Sequence, residues 1–515
     1  MKFSTDRNRA GYNTAMYNKP GKLLTKSRFM AGLQCPRYLW LTTNQPKSLP
    51  APDLVTRNVF DQGHQVGELA KKLFPDGVDL AGLGFQQSIT ETARRLKYRQ
   101  PVFEAAIRAG QLYARIDILA PAANGGWDIV EVKSSTSVKE EHTVDVAFQK
   151  HVAVAYGLPV NRCRLTHLNR DFVKNGDIDP NDLFIVTDIT DEVSELSGGI
   201  ADSVEDMLNT ISGNCPDPFI SRACNYPHIC PLKPECWQVL PEHPVTSLYR
   251  GGEKTDELLR MGVTGITDIP AGFSLNEKQS IQLECVRTGR DHRNRPELRD
   301  FLKSLPYPHY YLDFETFNTA IPLFDGTRPY QQVPFQFSLH TAAAPEAPLE
   351  HRGFLYRGQG DPRPEFISAL REALGDGGRI IVYNQSFEQD ILERLADAFP
   401  EYREWVADVI DRMADLLVPF RAFHYYHPNQ RGSASLKNVL PAVTGTGYDG
   451  LNIANGQVAS IRYFNAVYGN KNEAMAELFA DLEEYCGQDT EGMAWIMDRL
   501  KILAEDEPTS TNDMA

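Results

Sequence analysis

The chain of 515 residues is 42% hydrophobic and 23% charged, which excludes a disordered or collagen-like polymer and predicts about three folded domains. No apolar run approaches the ~18 residues that span a bilayer, and the polar start Met1-Lys-Phe-Ser-Thr-Asp-Arg-Asn-Arg9 is not a secretory signal, so a cytoplasmic location is expected. A net charge of −15 excludes a protein coated in basic surface but leaves room for a basic channel and for acidic metal sites.

Residues 1–37 carry eight Lys or Arg against one acid, Asp6, so the basic arm, residues 1–22, reads either as a nucleic-acid contact or as a solvated extension. Residues 22–42 predict a helix launched by Thr25 or Ser27 and interrupted at Cys35-Pro36. Residues 53–74 predict an amphipathic helix with Val55, Val59, Phe60, Val66, Leu69, Leu73 and Phe74 apolar. Its polar side offers His64 and Glu68, four apart on one face, either as metal ligands or as an ordinary exposed pair.

Tyr113-Ala-Arg-Ile-Asp-Ile-Leu119 reads as a strand holding Asp117, and Trp127-Asp-Ile-Val-Glu-Val-Lys-Ser-Ser135 as a second. Asn124-Gly125-Gly126 between them predicts a hairpin. Alternation puts Glu131 and Lys133 on one face, and the hairpin brings Asp117 to them. Two carboxylates can hold a hard ion such as Mg²⁺, and the lysine can orient or help deprotonate a water and offset charge on a phosphate. A helix over 143–156 is expected to aim Gln149 back at this site.

The eight cysteines stand at 35, 163, 215, 224, 230, 236, 285 and 486. Cys224, Cys230 and Cys236 are each separated by five residues in a proline-rich loop that can be neither regular helix nor strand. Clustered thiols in a large chain without a secretory signal read as metal ligands. Three thiolates need a fourth ligand for zinc or an iron–sulfur cluster, with Cys35, Cys215 and His228 as candidates. A Cys-Pro near the start, an Asp, a Glu-x-Lys and a closing cysteine triplet together resemble the RecB-like nucleases of the PD-(D/E)XK class, and more narrowly those with an iron–sulfur staple. The resemblance implies a restriction-endonuclease-like core over residues 23–240, with Cys35, Cys224, Cys230 and Cys236 sharing one [4Fe–4S] cluster and Cys215 spare; Zn²⁺ is the alternative.

Residues 241–304 read as a helical connector, in which Met261 to Pro270 is either a helix-hairpin-helix turn or a plain αα-hairpin linker. Residues 305–504 form the next predicted domain. Tyr310-Tyr-Leu-Asp-Phe-Glu-Thr-Phe317 reads as a strand with Asp313 and Glu315 on one face; 334–342, 350–356 and 379–384 read as further strands. Glu388 falls in the first turn of a helix beginning at Gln385. Leu482 is expected to open the C-terminal helix, with Tyr485 and Asp489 four apart on one face. Four such carboxylates can hold two divalent ions, and the tyrosine hydroxyl can position a water. His424-Tyr-Tyr-His427, near Arg431 and Lys437, either stacks bases or packs in the loop.

Asp313 and Glu315, then Asn384-x-x-Phe387-Glu388, then Tyr485-x-x-x-Asp489 resemble the three motifs of the DEDD exonucleases, in the tyrosine version, with an RNase H-like fold. Gly432 to Leu440 is similar to the segment before the third motif. Glu388 stands where that family usually has Asp, and Asp390 is the neighbouring alternative. Residues 505–515 read as a disordered tail. Nearly the full length resembles a bacterial family that joins these two nuclease folds. The implied protein is an α/β, Mg²⁺- or Mn²⁺-dependent exonuclease acting on DNA with a free end or a single strand, in repair, CRISPR-type or defence processing. The alternative is a nucleic-acid-binding scaffold with one or both cores inactive.

Overall fold

The computed structural model describes residues 21–469 and 474–505, so most of the basic arm and the tail beyond Glu505 lie outside the described residues. The chain is a mixed α/β protein that divides into two compact units, Met1–Val239 with Thr319–Gln331, and Leu240–Asn318 with Gln332–Ala515. Among the described residues no helix is long and apolar enough to cross a membrane.

In the first unit, β1 (Leu24–Thr25) leads into α1 (Lys26–Gln34), whose first turn is capped by the Thr25 hydroxyl accepting from the Arg28 amide at 3.3 Å. Cys35 separates α1 from α2 (Pro36–Asn44), where proline sits at a helix start and costs no hydrogen bond. Then follow α3 (Leu54–Ala70), β2 (Val78–Asp79), α4 (Phe85–Arg95), β3 (Val102–Ala109), β4 (Leu112–Pro121) and β5 (Trp127–Lys133). The unit continues through α5 (Glu140–Tyr156), β6 (Val160–Leu168), α6 (Pro180–Leu183), β7 (Phe184–Asp188), α7 (Thr190–Glu195), α8 (Ser197–Ser212) and α9 (Lys233–Cys236).

The strands make one sheet in the order β2-β3-β4-β5-β6-β7, with β1 added beside β4. β4 and β5 form the expected antiparallel hairpin, but they pair only from Ile118↔Val130 to Pro121↔Trp127. Beyond Val130 the strand stays paired with β6 alone, while β1 takes the place beside β4 at Leu112 and Tyr113. The sheet therefore forks, and Asp117 and Glu131 stand at the fork. α5 lies over β3 and β4, and its Phe148 stacks on Phe29 of α1 with ring centroids 4.4 Å apart. Thr319–Gln331 packs in this unit too: Ala320 joins Val66, Ala70, Leu183 and Phe184, and its amide donates to Gln62 at 2.6 Å.

The second unit holds α10 (Glu253–Arg260), α11 (Glu277–Thr288), β8 (His292–Arg293), α12 (Arg295–Lys303), β9 (His309–Phe317), β10 (Val333–Ala342), β11 (Glu350–Leu355), α13 (Arg363–Ala373) and β12 (Arg379–Val382). It continues through α14 (Ser386–Ala398), α15 (Arg403–Asp411), β13 (Met413–Asp415), α16 (Val418–Arg421), β14 (Tyr425–Tyr426), α17 (Leu436–Thr444), α18 (Gly456–Val467) and α19 (Met475–Glu505). Its five-stranded sheet runs β11-β10-β9-β12-β13, antiparallel among the first three and parallel from β9 onward. Alternation along β9 decides the layers. Tyr310, Leu312 and Phe314 pack with the residues of α13, α14 and α15, whereas Tyr311 packs with those of α17 and α19. Asp313 and Glu315 share the parity of Tyr311 and so face α17 and α19.

One expectation needs correction, and one open choice is narrowed. α19 begins at Met475 rather than Leu482, because Leu478 and Phe479 already continue its buried side. After α10 no α-helix starts until Glu277; Ile266 and Ile269 instead pack with Val245 and Leu258, so Met261 to Pro270 is a linker and not a helix-hairpin-helix.

Phe148→Ala removes a fully buried ring and is expected to cost about 3–5 kcal/mol. Hydrogen exchange on α5 checks this: its amides lose protection by that amount.

Candidate metal centres

The fork of the first sheet has a direct cause in hydrogen bonding. The amide of Val132 donates to Asp117 Oδ2 at 2.9 Å, so a side chain takes the place of the next β4–β5 ladder bond. Glu131, almost fully buried, accepts at Oε1 from Lys26 and Lys133, each at 2.8 Å, and at Oε2 from Gln149 at 2.7 Å. Lys133 also donates to Asp145 Oδ2 at 2.6 Å, and Gln149 to Asp145 Oδ1 at 3.1 Å. Lys26 lies 3.8 Å from both Asp117 and Asp145.

Burial pushes the Asp117 carboxyl up to about 7, assisted by the Glu131 charge and opposed by Lys26, Lys133 and the Val132 amide. Burial acts the same way on Glu131, but Lys133 and Lys26 outweigh it and hold Glu131 below the usual carboxylate range. Burial pulls Lys133 down, yet Glu131 and Asp145 more than offset it and keep an ammonium there. In this arrangement Lys133 is a hydrogen-bond donor to Glu131 and Asp145.

The second centre is a cluster of carboxylates. One ligand atom each from Asp313, Glu315 and Asp489 lies within 4.8 Å of the others, so this acidic cluster can hold a metal ion. Glu388 on α14 lies outside that trio but feels the Asp313 charge; its carboxyl is buried and its Oε2 has no hydrogen-bond partner. Burial raises Asp313, Glu315 and Glu388 well above the carboxylate range, with repulsion among the carboxylates adding to it. Asp489 is pushed up to about 6 by burial, against the Tyr448 hydroxyl, the Lys437 charge and the Tyr485 hydroxyl. Lys437 stands 5.1 Å from the Tyr485 ring and donates to the Ala454 carbonyl at 2.6 Å. Cys486 donates to Asp313 Oδ2 at 3.7 Å.

The cysteine loop folds back onto the α1–α2 junction. Gln34 donates to the carbonyls of Ala223 and His228 at 2.8 and 2.6 Å, and Trp40 to Gly213 at 2.9 Å. Burial pushes the Cys230 thiol up to about 11, with Cys35, Cys224 and Cys236 adding to it, so these four are electrostatic neighbours. Cys215 stands apart in its bonding, accepting from Arg37 at 3.4 Å.

Some expected residues do not join these groups. Among the described residues no third His, Cys, Asp or Glu ligand comes within 4.8 Å of Asp117 and Glu131 together, so His64 and Glu68 do not complete that shell. Both are exposed on α3, and Glu68 pairs instead with Lys71, which also holds Asp79. Asp390 is paired with Arg394 at 2.8 Å, which leaves Glu388 as the α14 carboxylate that feels the charge of the cluster. Tyr425 and Tyr426 are buried, Tyr426 against Phe423 with centroids 4.7 Å apart, so they pack and do not present a stacking platform. Lys26, Asp145, Tyr448 and Cys486 escaped the sequence reading. Asp145 had a signal, four residues before Gln149 on one helix; Tyr448 had none.

Residues 310–435 match the domain of unknown function DUF2779, a stretch that contains Asp313, Glu315 and Glu388 but not Tyr485 or Asp489. The chain is similar to the uncharacterized protein MG366 homolog of Mycoplasma pneumoniae, 25% identical over 205 residues, 36% of this chain and 30% of that protein. It is also similar to the uncharacterized protein UU173 of Ureaplasma parvum, 26% identical over 235 residues, 40% of this chain and 33% of that protein. The uncharacterized protein MG366 of Mycoplasma genitalium is 26% identical over 246 residues, 43% of this chain and 36% of that one. The chain thus spans about a third of the length of each relative.

Asp489 binds its proton more tightly folded than unfolded. Its contribution to stability is therefore present below the ordinary carboxylate range and lost as pH rises through about 6. Without metal, the melting temperature of the second unit is expected to fall as pH is raised from about 5 to about 7. Mn²⁺ at about 100 times its dissociation constant restores about 2.7 kcal/mol, roughly 5–10 °C. Differential scanning fluorimetry of Asp489→Asn should show a shallower fall with pH and a smaller gain from Mn²⁺, the remaining slope coming from Asp313, Glu315 and Glu388.

Proposed function

We propose that this protein is a metal-dependent nuclease with two hydrolytic centres acting on DNA, working as an exonuclease on free ends or single strands. The observation that carries the reading is the group of half-buried Asp313 with buried Glu315 and Asp489, near buried Glu388 and facing one half-buried lysine. So much negative charge out of water is unfavourable unless a cation joins it. All-oxygen donors suit Mg²⁺ or Mn²⁺. The strand order and directions of the second unit support an RNase H-like fold of the DEDD type. The forked sheet with Asp117, Glu131 and Lys133 at the fork and Gln149 on the covering helix supports a PD-(D/E)XK core.

A bound divalent ion supplies charge neutralisation and an acidified water for attack on the phosphodiester. The chain's own groups do the rest. Tyr485 is placed to hold a water through its hydroxyl beside Asp489. Lys133, fixed by Glu131 and Asp145, presents an ammonium toward charge that builds on a phosphate oxygen. Gln149 fixes Glu131 and Asp145 against each other.

Cys35, Cys224, Cys230 and Cys236 fit a cluster that ties the two ends of the first unit together. Four thiolates suit either a [4Fe–4S] cluster, as the resemblance implies, or Zn²⁺. The second reading, a nucleic-acid-binding scaffold with the second core inactive, draws support from Glu388, whose extra methylene sits where the DEDD pattern has Asp.

End-labelled DNA and RNA, single- and double-stranded, incubated with Mg²⁺ or Mn²⁺ test the reading. Wild type shortens DNA; Lys133→Ala and Asp313→Ala each lose at least about 10²-fold of one activity, and the double variant loses both. Binding without hydrolysis in the wild type favours the scaffold. Anaerobically purified protein should be brown, with Cys230→Ser colourless.

A further inference from the structure

Lys26 occupies a position that the two nuclease resemblances do not supply. It is the first residue of α1 and comes from outside the β4–β5 hairpin, yet its ammonium enters the fork from the β1 side. It donates to Glu131 Oε1 at 2.8 Å and lies 3.8 Å from one oxygen each of Asp117 and Asp145. A cation within reach of the Asp117 and Glu131 carboxylates together is where a divalent ion would have to sit. The remaining groups fit an ion: two carboxylates from two strands, and the Gln149 Oε1, fully buried and without a hydrogen-bond partner. Lys133 shares the Glu131 Oε1 contact but is tied to Asp145 at 2.6 Å, where Lys26 stands 3.8 Å from the same oxygen.

We propose that Lys26 is the built-in counter-cation of the Asp117–Glu131 pair, holding the place of the divalent ion and leaving it when the ion binds. The idea rests on the reading of that pair as a metal site. Glu131 Oε1 already takes both Lys26 and Lys133, so a divalent ion there would add a third cation at contact distance, and Lys26, held less closely by Asp145 than Lys133 is, gives way. The exchange keeps the buried carboxylates neutralised in both states, which lets the fork form before metal arrives. Lys26 has a long stem and is about a quarter exposed, so its displaced ammonium can stay at the mouth of the fork. There it meets the phosphate that metal binding is meant to serve. Lys26 is therefore a positioning residue for the ion and a contact for the incoming anion.

The test uses the full chain in an Asp313→Asn/Asp489→Asn background, so that Mn²⁺ reports on the first unit. The protein is treated with N-hydroxysuccinimidyl acetate with and without Mn²⁺, and acetylation at Lys26 is read by mass spectrometry. A severalfold rise with Mn²⁺, absent when Glu131→Gln is added, is the expected result. Calorimetric Mn²⁺ titration of Lys26→Met should show binding about tenfold tighter than the parent, and Lys26→Arg within a few-fold of it. Unchanged Lys26 labelling on Mn²⁺ binding overturns the inference, and needs no variant at Lys26 to fold. Unchanged or weaker Mn²⁺ affinity in Lys26→Met overturns it as well. If Glu131→Gln binds Mn²⁺ as well as its parent does, the reading of the pair as a metal site has failed instead.

Discussion

Carboxylates buried beside one another form the constraint on which both units depend. Each charged group taken out of water loses several kcal/mol of hydration, and a second like charge nearby adds repulsion. Such an arrangement persists only with a counter-charge, a proton or a metal. The first unit meets the condition from its own sequence: Lys26 and Lys133 surround Glu131 and hold it ionised. The second unit does not. Lys437 is half-buried, pulled down by its own burial, and faces Asp489, Glu315 and Asp313. Its carboxyls instead rise toward the protonated state.

The two folds assemble these groups by different local devices. In the first unit the device is a strand pair that stops pairing. The ladder between β4 and β5 ends at Ile118 and Val130, and the next donor, the Val132 amide, goes to Asp117. The backbone loses no hydrogen bond, and the strands part with two acidic side chains between them. In the second unit the device is strand parity. Tyr310, Leu312 and Phe314 bury one side of β9, which forces Asp313 and Glu315 to the other, under α17 and α19. Asp489 meets them because α19 keeps four-residue spacing with Tyr485 on the same side.

That difference explains what the sequence made legible. Alternation and helical spacing are local rules, so Glu131 with Lys133, Asp313 with Glu315, and Tyr485 with Asp489 could be read directly. The Asn124-Gly125-Gly126 turn gave the hairpin and with it Asp117. Lys26 could not be read, because it reaches Glu131 across 105 positions through a two-residue strand that only the folded sheet reveals. Tyr448 reaches Asp489 from a loop without periodicity. His64 and Glu68 misled for the converse reason. Helical spacing correctly put them on one face, but it does not say toward what the face turns, and Lys71 offered Glu68 a nearer partner. The acidic run after Leu482 resembles a first turn, while the buried Leu478 and Phe479 carry no boundary signal, so the sequence does not mark the true start of α19.

The contrast between the centres also bears on how each behaves before substrate arrives. A site neutralised by its own lysines is assembled at neutral pH whether or not metal is present, and metal must compete for it. A site neutralised by protons takes metal only by releasing them, so its occupancy follows pH as well as concentration. The Tyr448 and Tyr485 hydroxyls soften that dependence at Asp489 alone, since both favour its charged form. Asp489 is thus the carboxylate of the second centre whose charged form two neighbouring hydroxyls favour. Glu388 has an unpartnered oxygen, and burial and the Asp313 charge both disfavour its charged form. Filling the second centre is then coupled to proton release at each carboxylate that joins the ion, on β9, α14 and α19 alike.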